Sequence, residues 1–200
     1  MSDRAPSPVD VPAGHVRHES ASWHLRLLGA VALLAPRARP VRLPTRAATL
    51  LLARLAMAPR RQHPREELLD LLWPGVDNET GRNRLRQALS VLRSLLEAAN
   101  PAAAPLLHAD RRAVWLAPGA VDCDVVAFEQ ALSLGHVAQG LRLYQGELLP
   151  GHFDEWVLEA RGHLASRADA LAARQPALSG LPAAADAAKS AGPDVRLPHT

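Results

Sequence analysis

One stretch, from about Asn78 to Ala98, limits the possible folds more than any other part of the chain. With residues placed about 100° apart around a helix axis, Leu85, Leu89, Leu92 and Leu96 fall in one narrow stripe, flanked by Ala88 and Leu95. Arg82, Arg86 and Arg93 form a second stripe beside it, continued by Asn83 and Ser90. One side of this predicted helix is built to be buried. The adjoining side offers forked guanidinium donors. Asn100-Pro101 closes the helix.

The residues before it predict the core on which it lies. From Trp23 onward, His24-Leu25-Arg26-Leu27-Leu28 alternates, Ala30 to Leu34 is apolar, and Val41-Arg42-Leu43 alternates again. Gly29 and the Pro36 to Pro40 segment punctuate these runs, so two or three short strands are expected. Thr45 is a good N-cap for a first helix whose apolar face holds Ala47, Ala48, Leu50, Leu51, Leu55 and Met57, and Pro59 ends it. Pro64 opens a second helix, where its missing N–H costs nothing, and Glu66 and Glu67 suit the first turn. Trp73-Pro74-Gly75 stops that helix.

After the third helix and a Pro/Ala stretch, Leu106-Leu107-His108 and Ala113-Val114-Trp115-Leu116 flank Ala109-Asp110-Arg111-Arg112. That pattern predicts a β-hairpin with an arginine-bearing tip. Beyond Pro118-Gly119 the texture is helical. Asp122 or Asp124 is expected to cap a helix with Val125, Val126, Phe128, Ala131 and Leu132; a second carries Val137, Leu141 and Tyr144; a third, near Asp154 to Arg174, carries Trp156, Val157, Ala160, Leu164, Ala168 and Leu171. Residues 1–22 and 176–200 lack any period and read as disordered or flexible tails.

The expected fold class is therefore mainly α with small β elements. A winged helix-turn-helix at 23–118 (short N-terminal strands, three helices, a C-terminal hairpin wing) precedes a short tetratricopeptide-like helical region at 121–175. In such a module the third helix enters the major groove and the hairpin tip reaches phosphate or the minor groove. Arg82, Asn83, Arg86, Ser90 and Arg93 are then the expected groove contacts, Arg111 and Arg112 the wing contacts, and Thr45, Arg46 and Arg65 backbone contacts at helix starts. Each arginine taken singly is better read as part of a solvated helix face; clustered on this helix, they favour DNA.

Charge distribution points the same way. Of 23 basic residues only Lys189 is a lysine, a bias that a GC-rich genome also produces. Position is more telling: no Asp or Glu falls between Ser20 and Arg65, whereas Arg26, Arg37, Arg39, Arg42, Arg46, Arg54, Arg60, Arg61 and Arg65 do. The acids gather later, from Asp122 to Asp169, as expected if only the first half meets phosphate. Cys123 is the single cysteine, so no intramolecular disulfide or cysteine-based metal cluster can form, which suits a reducing cytoplasm. The most apolar run, Leu27 to Ala35, is too short to span a membrane.

The blocks Leu25-Arg26-Leu27-Leu28-Gly29, Arg46 to Leu55, Arg65 to Pro74, Arg82 to Arg93 and Val114-Trp115-Leu116 resemble the DNA-binding domain of the Streptomyces antibiotic regulatory protein (SARP) family, with its OmpR-type winged helix. Asp122-Cys123-Asp124, Phe128-Glu129, Leu143 to Gly151 and Glu155-Trp156 resemble the bacterial transcriptional activation domain that follows in that family. The matches cover roughly residues 24–174; the helical part holds about three helices where the family pattern is a longer bundle. The resemblance implies double-stranded promoter DNA with direct repeats as the partner, cooperative binding with further copies on DNA, recruitment of RNA polymerase, and a cytoplasmic, nucleoid-associated location.

An enzyme lacks sites: His152 near Asp154 and His163 near Asp169 match no metal or catalytic spacing and read as solvated helix residues, and no Gly-rich phosphate loop is present. Asp122-Cys123-Asp124 reads as a helix cap, and Trp73, Trp115 and Trp156 as core packing. No catalytic residue, metal or cofactor is expected. A protein-interaction adaptor, and an operator-binding competitor unable to activate, remain the alternatives to an activator.

Overall fold

The computed structural model describes residues 22–98 and 105–179, so most of both expected tails and the Pro/Ala stretch at 101–104 lie outside the described residues. The chain opens with β1 (Trp23–Arg26), β2 (Ala32–Ala35) and β3 (Arg39–Val41), followed by α1 (Arg46–Met57). Next come β4 (His63–Pro64), α2 (Arg65–Leu72), α3 (Asn78–Ala98) and the hairpin of β5 (Leu107–Ala109) and β6 (Ala113–Leu116). Then β7 (Val121–Cys123) leads into α4 (Asp124–Ser133), α5 (Val137–Leu143) and α6 (Glu155–Ser179). The expected class, mainly α with small β elements, is the observed one.

Helix α1 is the spine. Thr45 sits in extended conformation before it and its Oγ1 accepts the Ala48 N–H at 3.1 Å, the cap expected from its side chain. Sequence periodicity suggests one apolar face, yet the buried set runs through Ala48, Thr49, Leu50, Leu51, Leu52, Ala53, Leu55 and Ala56, covering nearly every side. A helix enclosed on all sides serves several layers at once. Here α1 packs against α2 and α3, the β6 strand of the hairpin, β7 and α4.

Two small sheets flank it. The first has the order β3-β2-β1-β7, with β1–β2 and β2–β3 antiparallel and β1–β7 parallel, in register Trp23 to Val121 and Leu25 to Cys123. The second has the order β4-β6-β5, all antiparallel. Neither β4 nor β7 is expected from sequence, because two- and three-residue strands leave too little alternation to read.

Strand β7 changes the expected role of the Asp122-Cys123-Asp124 run. Asp122 is on the strand and accepts the Ser22 hydroxyl at 2.6 Å. Asp124 is the first residue of α4, but its carboxylate does not cap that helix. It accepts the Leu27 N–H at 2.9 and 3.0 Å and the Leu28 N–H at 3.0 Å, satisfying two amides beyond the end of β1. Burial pushes its pKa up, and those amides pull it back. Cys123 is a buried thiol whose pKa burial, with the nearby Asp124 charge, pushes up to about 12, so it is a packing residue.

The helical region docks on the same core. Backbone bonds Gly29 N–H to Glu147 at 2.9 Å and Leu149 N–H to Leu27 at 2.8 Å join the β1–β2 turn to the 147–149 segment. Arg161 of α6 holds that segment from the other side, donating to the carbonyls of Leu148, Leu149 and His152 at 2.9–3.1 Å and pairing with Glu147 at 3.2 Å. Three helices suffice to bury Trp156, Val157, Leu164, Ala168 and Leu171: α6 packs on α5, and these side chains join one buried cluster with those of the winged module. His152 is half-buried in the turn before α6, and burial lowers its pKa, so it is not the solvated helix residue expected; His163 is exposed on α6. Helix α6 runs to Ser179, through Pro176, rather than stopping near Arg174; a proline withholds one amide and kinks a helix without always ending it.

Candidate nucleic-acid interface

Helix α3 delivers the two stripes its sequence promises. Leu85, Ala88, Leu89, Leu92 and Leu96 are buried, while Arg82, Asn83, Arg86 and Ser90 are exposed and Arg93 is half-buried. Its start is fixed by Asp77, whose Oδ1 accepts the Thr80 N–H at 2.9 Å and whose carboxyl is held below the usual range by Thr80 hydrogen bonds. That cap precedes the Asn78–Thr80 start read from sequence; an Asp three residues ahead of Thr80 is the signal that marks it. Gly81, buried, faces Leu69 of α2.

Helix α2 and the wing are tied together. With Pro64 at the N-cap no side-chain cap forms, and the Arg65 N–H instead donates to the Arg112 carbonyl at 2.9 Å. Arg65 Nε donates to the Asp110 carbonyl at 2.8 Å. Within the tip, Asp110 Oδ1 accepts the N–H groups of Arg112 and Ala113 at 2.6 and 2.7 Å. An aspartate folding its side chain over the residues that follow is standard turn chemistry, legible in Ala109-Asp110-Arg111-Arg112. Trp115 of β6 is half-buried and stacks on His108 across the hairpin, centroids 5.5 Å apart, a packing role.

Between α2, α3 and the wing lies an open groove of about 620 Å³. Arg65, Arg82, Arg86 and Arg111 line it, together with Glu66, Leu85, Ala109 and Asp110. Arg82, Arg86 and Arg111 make no ion pair among the described residues. By contrast, Arg46 pairs with Asp154, Arg54 and Arg61 with Glu67, Arg161 with Glu147 and Arg167 with Glu129. Four guanidiniums against the two carboxylates of Glu66 and Asp110 leave this concave surface with an excess of positive charge. Glu66, expected only to favour the first turn of α2, adds an exposed acid to the groove lining.

The other expected contacts fall elsewhere. Arg112 is exposed at the wing tip beside Arg111. Thr45 uses its hydroxyl oxygen as the α1 cap, and Arg46 Nη2 lies 2.5 Å from Asp154 Oδ2, near the start of α6; neither lines the groove. A larger cleft of about 980 Å³ between 58–61, 118–123 and α4 mixes Arg60 and Arg61 with Asp122 and Glu129, so it offers no single sign of charge to a polyanion. Among the described residues no group of His, Cys, Asp and Glu is arranged to hold a metal ion, and no helix is long and apolar enough to cross a membrane.

No protein-family model matches the sequence, and no curated protein does. Among solved structures, the chain is similar to Mycobacterium tuberculosis EmbR, taken from its complex with a low-affinity phosphopeptide. The TM-score is 0.62 at 20% identity, covering 75% of this chain and 43% of that one. The likeness establishes a shared fold, and the chain spans less than half the length of the EmbR chain it matches.

Proposed function

We propose that this chain is a sequence-specific DNA-binding transcriptional regulator of the SARP type. The observation that carries this reading is the groove in which Arg82 and Arg86 of α3, without an ion pair among the described residues, face Arg111 of the wing. A helix bearing exposed Arg, Asn and Ser along one side, on a domain with a basic hairpin beside it, has the parts of a major-groove reader. Arg82, Asn83, Arg86 and Ser90 contact base edges, Arg93 the flanking backbone, and Arg111 and Arg112 phosphates beside the wing. Residues 23–118 form the DNA-binding domain and 121–175 the helical region. The resemblance read in the sequence and the fold shared with EmbR both support this assignment. Activation through RNA polymerase, binding of further copies on direct repeats, and a cytoplasmic place on the nucleoid are the family's expectations, carried into this proposal.

The test is a titration of the full chain against duplexes selected from a randomised pool, over a salt series, beside a variant with Arg82→Ala and Arg86→Ala together. Each bidentate arginine–guanine contact is worth about 1–3 kcal/mol, so the double variant should lose roughly thirtyfold or more in specific affinity. Its circular dichroism should match the parent, since both side chains are exposed. Affinity indifferent to salt, or to these two arginines, would replace this proposal with the adaptor reading.

A further inference from the structure

Arg65 is the residue whose observed bonding departs furthest from a DNA contact. Its own backbone N–H holds the Arg112 carbonyl, and its Nε holds the Asp110 carbonyl, so one residue grips the wing tip on both sides of Arg111. The two anchors are not equivalent. The first is backbone, reinforced by the Pro64 to Ala113 pairing of β4 with β6, and survives any substitution that keeps α2. The second exists only through the guanidinium. Arg65 is half-buried, and its Nε–H is directed at the protein's own backbone.

We infer that Arg65 is a positioning residue: it bridges the first turn of α2 to the Asp110 carbonyl and so fixes the distance from the wing arginines to Arg82 and Arg86 of α3. This rests on the DNA-binding reading above and deepens it, since the spacing of those groups decides which phosphates and bases can be met together. Asp110 completes the device from the other side. Its carboxylate is held in its charged form by the Ala113 and Arg112 amides, with the Arg65 and Arg112 charges adding to the effect. The tip is thereby closed by its own aspartate and hung on α2 by Arg65. A lysine replaces the arginine poorly here, because a methylene stands where Arg65 has its Nε and the single ammonium lies one bond further out on a flexible stem.

Two measurements on the full chain test this. In the free protein, hydrogen exchange at the Arg112 and Ala113 amides should quicken in Arg65→Lys and Arg65→Ala alike, with the α3 amides unchanged. On DNA, using a duplex selected from a randomised pool by the unaltered chain, Arg65→Lys should weaken binding as much as Arg65→Ala does. Both should flatten the salt slope by up to about two, as the Arg111→Ala/Arg112→Ala double variant should through loss of two phosphate contacts. Adding Arg65→Ala to that double variant should change nothing further. Restoration of affinity and slope by Arg65→Lys would make Arg65 a phosphate contact and overturn the inference, as would additivity with the wing variant. Unchanged wing-tip exchange would overturn it without any DNA. Absence of salt-dependent binding by the unaltered chain would instead remove the DNA reading, leaving the exchange result to decide whether Arg65 holds the tip.

Discussion

Replacing Gly29 by alanine should separate the strain of a backbone conformation from the strain of a close contact. Gly29 turns the chain between β1 and β2 at φ +79°, and a Cβ there would lie 2.6 Å from the Gln145 carbonyl oxygen and 2.8 Å from its carbon. Those are backbone atoms, pinned by the adjoining Gly29–Glu147 and Leu149–Leu27 bonds, so they cannot swing aside as a side chain would. Left-handed backbone costs an L-residue about 1–2 kcal/mol, less about 0.4–1 kcal/mol from the stiffer unfolded chain. Overpacking against fixed atoms adds about 1–3 kcal/mol. Gly29→Ala is therefore expected to cost about 1–5 kcal/mol. Gly119 is the control: φ is +71°, and nothing lies within 4 Å of its added Cβ. Gly119→Ala should cost about 1 kcal/mol or less, the backbone part alone. Urea unfolding followed by tryptophan fluorescence and far-ultraviolet dichroism gives both values, with Trp23 and Trp156 both buried reporters, one in the winged module and one in the helical region. Equal losses in the two variants would refute the argument, because the contact between the β1–β2 turn and the 145–147 turn would then be too loose to feel a methyl group.

Other expectations follow from single environments. Burial first, and the Arg54 and Arg61 charges next, lower the pKa of His63 below its ordinary 6.5, and burial does the same to His152. The unfolded chain then binds the proton first as pH falls, so stability should decline below about pH 6.5 until the folded-state pKa is reached. His63→Leu, which removes this buried imidazole, should flatten that decline in a series of melts at different pH. Asp124→Ala strips the acceptor from the Leu27 and Leu28 amides and should cost about 2–5 kcal/mol in urea unfolding, with Asp124→Asn milder because one acceptor oxygen remains. Leu92→Ala, at a fully buried position on the inner face of α3, should cost about 2–5 kcal/mol and leave the salt slope of DNA binding intact in the folded fraction. Cys123 should resist alkylation by iodoacetamide in the native chain and react at once in denaturant.

The parts of the fold written in local patterns are legible in the amino-acid sequence alone. The helical period of α3 separates Leu85, Leu89, Leu92 and Leu96 from Arg82 and Arg86, and the separation survives intact in the fold. Thr45, Pro59, Trp73-Pro74-Gly75 and the Asp110 turn mark their boundaries through side-chain chemistry that acts within a few residues. The arginines of the groove are legible as a list for the same reason, since one helix face and one turn supply them.

Tertiary structure alone decides which of those residues meet. Thr45 and Arg46 share the composition of a phosphate site, yet Arg46 reaches Asp154, a residue 108 positions away. Asp124 looks like a cap for its own helix and instead serves amides 96 and 97 positions earlier. The parallel pairing of β7 with β1 and the enclosure of α1 on nearly all sides likewise depend on chain segments that no short window contains. Arg65 is the sharpest case: sequence places a cation at a helix start, and only the wing folding back beside it gives its Nε a carbonyl to hold. Periodicity and capping are properties of neighbours along the chain, whereas pairing partners are chosen by packing, and packing is settled only when the whole core closes.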